Sequence, residues 1–224
     1  MIRPRVFLPL LLVTASVTAS LTAATVSGTV SFEARRGQKP NPAEAVVWAE
    51  PLDARARIAP REAVMTTRAK TLIPHVLAVP AGSTVRFPNE DPITHNLFSV
   101  SPANPFDLGL YRRGDEGNQQ RFDEPGIVNV YCNVHPNMSA VVVVLDTPHW
   151  TQPEADGAWK LQLPPGRYQL HAWHEQGGTS ESLVVIGRDG TIQGTTNVRF
   201  DVSRYRSTPH LNKHGKPYSR VRDY

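Results

Sequence analysis

Hydrophobic residues after residue 25 fall in short runs that alternate with polar residues and stop at Gly, Pro, Asn or Asp. No long stretch repeats its hydrophobic residues every 3.6 positions, as an amphipathic helix requires. The 20 prolines and 15 glycines lie largely between the runs, where they favour turns and loops. The runs have the length and period of β-strands, as in TVSGTVSF, AVVWAE, THNLFSV, GIVNVY and SAVVVVL. The pattern therefore predicts an all-β fold with irregular connections.

The first residues follow a different pattern. Arg3 and Arg5 precede an apolar run over residues 6–13, which small residues follow as far as Ala24. This three-part order is typical of a secretory signal peptide. The apolar run is also much shorter than the about 20 residues that cross a bilayer. We expect residues 1–24 to be a signal peptide and the mature chain to have no membrane span.

The net charge of the chain does not point to a particular binding partner. The chain has 24 Lys and Arg against 20 Asp and Glu, a formal net charge of +4. Two of the basic residues, Arg3 and Arg5, belong to the predicted signal peptide. The remaining excess is too small to indicate binding to nucleic acid or to a membrane surface.

The single cysteine gains meaning from the predicted export. Cysteines of exported proteins usually form disulfides, but Cys132 has no partner in the chain. Such a thiol can form an intermolecular disulfide, remain as a reactive liability or serve as a protected metal ligand. It can also be a small buried hydrophobic residue.

The neighbours of Cys132 favour the ligand interpretation. Cys132, His135 and Met138 follow one another at intervals of three on a loop between two predicted strands, GIVNVY and SAVVVVL. Thiolate and thioether groups favour copper(I), and imidazole suits both oxidation states of copper. A fourth ligand has to come from elsewhere in the chain. His95, at the start of the predicted strand THNLFSV, is our candidate.

At these residues the middle of the chain, over residues 65–147, resembles the cupredoxins, the type 1 copper proteins of the plastocyanin and amicyanin group. The loop CNVHPNM is similar to the short amicyanin loop, and VLAVPAGSTVRFPNEDPITHN is similar to the family stretch before the first copper histidine. The segment as a whole most resembles periplasmic cupredoxin-like proteins associated with methylamine utilisation. The resemblance implies a Greek-key β-sandwich with one type 1 copper ion. It implies His95, Cys132 and His135 as equatorial ligands and Met138 as the weak axial ligand.

The resemblance also implies a function. A periplasmic protein of this kind carries one electron between transient redox partners, for example a c-type cytochrome or a dehydrogenase. His135 would be the electron port, and Asn96 would join the two ligand-bearing loops by hydrogen bonds. A copper storage, delivery or sensing module could use the same ligands and is the alternative. We do not expect an enzyme, because the sequence offers no evident ligands for a second copper centre.

The sequences on both sides of the cupredoxin-like segment share a strand pattern that differs from that of the segment. GTVSF and AVVWA before it, and DGAWKLQLPPGRYQLHAW after it, resemble the opening and closing parts of a carboxypeptidase-regulatory-type β-sandwich. The resemblance implies that residues 25–50 and 156–202 form one discontinuous flanking β-sandwich. Residues 203–224 combine several basic residues with almost no aliphatic ones, which predicts a flexible basic tail.

Overall fold

The computed structural model describes residues 23–115 and 118–218. Within these ranges the regular structure is β-strand, apart from one turn of 3-10 helix at Pro42–Glu44. The predicted all-β fold is therefore confirmed. No helix of the described residues is long and apolar enough to cross a membrane. The predicted signal peptide lies almost entirely outside the described ranges, and so does the last part of the predicted tail, residues 219–224.

The strands are numbered in chain order. The first nine are β1 (Ala24–Glu33), β2 (Val46–Pro51), β3 (Glu62–Val64), β4 (Thr66–Arg68), β5 (Thr71–Ile73), β6 (Val76–Pro80), β7 (Ser83–Arg86), β8 (Leu97–Ser99) and β9 (Phe106–Asp107). The next nine are β10 (Gln119–Phe122), β11 (Gly126–Cys132), β12 (Ser139–Leu145), β13 (Trp150–Thr151), β14 (Ala158–Leu163), β15 (Gly166–His174), β16 (Gly178–Ile186), β17 (Ile192–Gly194) and β18 (Val198–Asp201).

Strands from the middle of the chain build two facing sheets and a small hairpin. The larger sheet has the order β6-β12-β11-β8-β9, the smaller one has the order β10-β7-β3, and β4 pairs with β5. Strand β12 is antiparallel to β11 and parallel to β6. Both sheets contribute side chains to one apolar core, which includes Val85 of β7 and Val128 of β11. These strands form a β-sandwich, which we call the middle sandwich.

Strands from the two flanks pair with one another. They form a sheet of order β14-β1-β18 and a second sheet of order β13-β2-β15-β16-β17, which we call the flanking sheets. A separate core lies between them and includes Val26, Leu161 and Leu170. The division into folding domains and the likeness to a carboxypeptidase-regulatory unit remain predictions.

The two parts meet at a third apolar cluster, the interface core. Its buried members are Val46, Val76, Ala78, Val141, Val143, Leu145 and Trp173. Strand β12 contributes alternate residues to it, while Ala140, Val142 and Val144 of the same strand face the core of the middle sandwich. Burial on both faces explains why the sequence of β12 is apolar without interruption after Ser139. The interface core thus fixes the middle sandwich against the flanking sheets through β12, an inner strand of the larger sheet.

Candidate metal centre

Backbone hydrogen bonds shape the loop that carries three of the predicted ligands. Cys132 is the last residue of β11, and the next strand, β12, starts directly after Met138. The Cys132 amide donates to the Met138 carbonyl at 3.0 Å, and the Met138 amide donates to the His135 carbonyl at 3.1 Å. These bonds close the loop into a tight turn, so that residues three apart can face one centre.

Strand pairing brings His95 to the same place. It precedes β8, which pairs with β11 so that Leu97 lies opposite Cys132. The Asn133 amide donates to the Asn96 carbonyl at 2.8 Å. Asn96 therefore joins the two ligand-bearing loops through its backbone, whereas its side chain donates to Asp107 Oδ1 at 2.6 Å.

The two imidazole rings present their Nδ1 atoms to the thiol sulfur. Cys132 Sγ lies 3.7 Å from His95 Nδ1 and 3.6 Å from His135 Nδ1, and the three ligand atoms lie within 4.8 Å of one another. A small divalent ion binds sulfur at about 2.3 Å and imidazole nitrogen at about 2.0 Å, so that trigonal to tetrahedral angles separate the two ligand atoms by about 3.5–3.7 Å. The three side chains therefore fit one shared metal ion.

Burial differs among the predicted ligands. The His95 and Cys132 side chains are fully buried, and Met138 is 2% exposed, whereas His135 is only half-buried. Met138 lies in the same apolar cluster as Cys132, and its carbonyl accepts the Cys132 amide. Of the four predicted ligands, His135 is thus the one that reaches the surface.

Electrostatics favour an ionised thiol beside the two rings. Burial raises the pKa of Cys132, but hydrogen bonds from His95 and from nearby backbone amides outweigh it, and the pKa is lowered overall. Burial lowers the pKa of His135, and the neighbouring His95 and Lys70 charges lower it further. A thiolate and a neutral imidazole are the forms in which these side chains bind metals.

A buried carboxylate behind His95 completes the centre, and sequence reasoning missed it. Asp91 Oδ2 lies 2.9 Å from His95 Nε2, on the ring edge that faces away from the sulfur. Burial raises the pKa of Asp91, but hydrogen bonds from the Lys70 amide, His95 and the Ala69 amide outweigh it, and the pKa is lowered. The available signal was the spacing of four residues between Asp91 and His95.

The described part of the predicted tail contacts the ligand loop. The Tyr218 hydroxyl donates to the Cys132 carbonyl at 2.8 Å, and burial, followed by the Cys132 charge, raises the pKa of Tyr218 to about 12. Lys213 Nζ lies 2.5 Å from Asp107 Oδ2. Polar groups of the described tail thus contact the ligand loop and β9, and the flexibility of residues 203–224 stays a prediction.

No protein-family model matches the chain, and no curated protein does. Among solved structures, the purple cupredoxin from Nitrosopumilus maritimus is 27% identical, with 37% of this chain and 99% of that chain covered and a TM-score of 0.33. Amicyanin from Paracoccus versutus is 20% identical, with 48% and 92% covered and a TM-score of 0.33.

A larger protein also matches. The copper-containing nitrite reductase from Thermus scotoductus SA-01 is 23% identical, with 52% of this chain but 28% of that chain covered and a TM-score of 0.36. The chain is thus similar to cupredoxins in solved structures, as it is in its sequence motifs.

Proposed function

We propose that this protein is an exported, periplasmic type 1 copper protein that carries one electron between redox proteins. The observation that carries the proposal is the position of Cys132 Sγ, 3.7 and 3.6 Å from the Nδ1 atoms of two histidines. A thiolate with two imidazoles is the equatorial set of blue-copper electron-transfer sites, in which a thioether is the weak axial ligand. His95, Cys132 and His135 would hold one copper ion, with Met138 as the axial ligand.

The surroundings of the ligands suit electron transfer. Copper supplies the one-electron redox couple when it is bound. Strand pairing and backbone hydrogen bonds hold the ligand-bearing loops together, so little reorganisation is needed when the charge of the centre changes. The half-buried His135 lies where a partner can approach, next to Val134, which is 43% exposed. Small docking surfaces of this kind suit weak, transient complexes, for example with a c-type cytochrome or a dehydrogenase.

An enzymatic role has less support. In the part of the chain that the structure describes, one group of three or more His, Cys, Asp and Glu side chains could hold a metal ion. Its cysteine and one of its two histidines are fully buried. We therefore propose a carrier, with copper storage, delivery or sensing as the alternative use of the same ligands.

Copper titration tests the proposal. The purified protein is titrated with copper(II) while its visible spectrum is recorded, and the titration is repeated with Cys132→Ser and with the control His171→Gln, whose histidine lies in the flanking sheets. We expect an intense charge-transfer band at one equivalent, reversible one-electron cycling, loss of the band in Cys132→Ser and no change in His171→Gln. A colourless protein that binds copper(I) and releases it on oxidation would instead support storage or delivery.

A further inference from the structure

Asp91 is a buried carboxylate with an unusual set of partners. Its side chain is 7% exposed, and among the described residues it forms no ion pair with lysine or arginine. Its oxygens accept hydrogen bonds from the Ala69 amide at 2.5 Å and from the Lys70 amide at 2.9 Å. The remaining partner is the ring of His95. A buried charge is costly unless it is hydrogen-bonded, and these three donors meet that need.

The turn that supplies the two amides is itself strained. Ala69 and Lys70 have φ angles of 52° and 58° and are the non-glycine residues with positive φ in the described part of the chain. Such a conformation is unfavourable for a residue with a side chain, because the Cβ atom crowds the carbonyl oxygen. Two-residue hairpin turns of this type normally use Asn and Gly. The hydrogen bonds to Asp91 offset that cost, so the turn and the carboxylate stabilise each other.

A second set of bonds fixes the loop between β7 and β8 that carries Asp91. The Asp91 amide donates to Asn89 Oδ1 at 2.8 Å, and the same oxygen accepts the Thr67 hydroxyl at 3.1 Å. The Glu90 amide donates to the Thr67 carbonyl at 2.9 Å. The position of the carboxylate is therefore set from both sides, by β4 and by the turn that follows it.

The two nitrogens of His95 then have separate partners. Nε2 lies 2.9 Å from Asp91 Oδ2 and Nδ1 lies 3.7 Å from Cys132 Sγ. A proton on Nε2 donates to the carboxylate and leaves the lone pair of Nδ1 for a metal ion. In the described residues no carboxylate contacts the other histidine, His135, in this way. The carboxylate thus acts on one ligand of the pair.

We propose that Asp91 is a positioning residue of the metal centre, which orients His95 and makes it a stronger donor to a divalent ion. The inference rests on the proposed copper function. A carboxylate that accepts a proton from a metal-bound imidazole fixes its tautomer and raises its basicity, and losing it typically costs 10–100-fold in metal affinity. The negative charge also stabilises copper(II) more than copper(I).

Asp91→Asn tests this inference, because it removes the charge and keeps the shape of the side chain. We expect copper(II) affinity to fall 10–100-fold relative to copper(I), which raises the reduction potential by about 60–120 mV for one electron. Potentials are measured by redox titration of the copper-loaded protein. Glu90→Gln is the matched control, since the exposed Glu90 pairs with Arg68 rather than with a ligand. It should leave both the copper(II) affinity and the potential unchanged, because solvent screens its charge.

Zinc(II) affinity separates failure of this inference from failure of the proposed function. If the wild-type protein forms no blue complex, the copper proposal fails, but Asp91→Asn must still weaken zinc(II) binding 10–100-fold while Glu90→Gln does not. The inference would be overturned if zinc(II) affinity fell equally in both variants, or if it did not change in Asp91→Asn.

If Asp91→Asn does not fold, NMR of the zinc-loaded wild-type protein tests the inference instead. It must show a protonated, slowly exchanging Nε2 on His95, and an unprotonated Nε2 would overturn the inference.

Discussion

Val143 provides a test of how the middle sandwich and the flanking sheets are joined. Its side chain is 1% exposed and lies in the interface core with Val46 and Trp173. Val143→Ala removes two buried carbon groups at about 0.8 kcal/mol each, and the cavity left behind adds to this loss. We expect the free energy of unfolding to fall by about 2 kcal/mol. Val100→Ala is the matched control, because Val100 is 62% exposed.

Two probes report the two parts of the molecule during urea denaturation. Fluorescence reports the flanking strands, which contain all four tryptophans, Trp48, Trp150, Trp159 and Trp173. Reactivity of the single thiol, at the buried Cys132, reports the middle sandwich. Because the interface core is apolar and fully enclosed, both probes should change together in the wild type and shift together in Val143→Ala. This reasoning would be refuted if the thiol reacted at a lower urea concentration than the fluorescence change. It would also be refuted if Val143→Ala lost no more unfolding free energy than the about 0.5 kcal/mol expected for Val100→Ala.

Two further predictions concern single hydrogen bonds. The hydrogen bond to Glu175 raises the pKa of His75, and the Glu175 and Glu44 charges raise it further. The pair therefore contributes its full stability below the unfolded pKa of about 6.5, and this stability is lost as pH rises through the higher folded pKa. The difference in unfolding free energy between the wild type and His75→Gln should therefore shrink by about 0.5–1 kcal/mol as pH rises above 6.5, because other groups that titrate in this range contribute equally to both proteins. Tyr218→Phe leaves the Cys132 carbonyl without the hydroxyl and should cost about 1 kcal/mol in urea denaturation; an unchanged midpoint would contradict the contact.

Much of the fold and of the centre could be predicted from the sequence. Period-two alternation indicates strands directly, and the spacing of Cys132, His135 and Met138 places three ligand types on one loop. The structure brings His95 to this loop because its strand pairs with β11. That pairing was expected from the resemblance to a known family rather than from any local signal.

The rest depends on side-chain orientation, which sequence patterns do not encode. Asp91 contacts His95 only because a left-handed turn at Ala69 and Lys70 holds the carboxylate in place. The sequence gives no indication of such a turn, because the glycine or asparagine that normally occupies these positions is absent. The contacts of Lys213 and Tyr218 have no signal in the sequence for a similar reason, because each is a single polar bond to a distant residue.

Charge balance links the buried carboxylate to the choice of oxidation state. Cys132 would bind a metal ion as a thiolate, and Asp91 is buried with a lowered pKa, so together they would contribute two negative charges to a centre with little water. A divalent ion neutralises them, whereas a monovalent ion leaves one net negative charge. Since uncompensated buried charge is costly, Asp91 favours the divalent form. Glu90 cannot replace it, because a carboxylate in solvent, paired with Arg68, is screened from the centre.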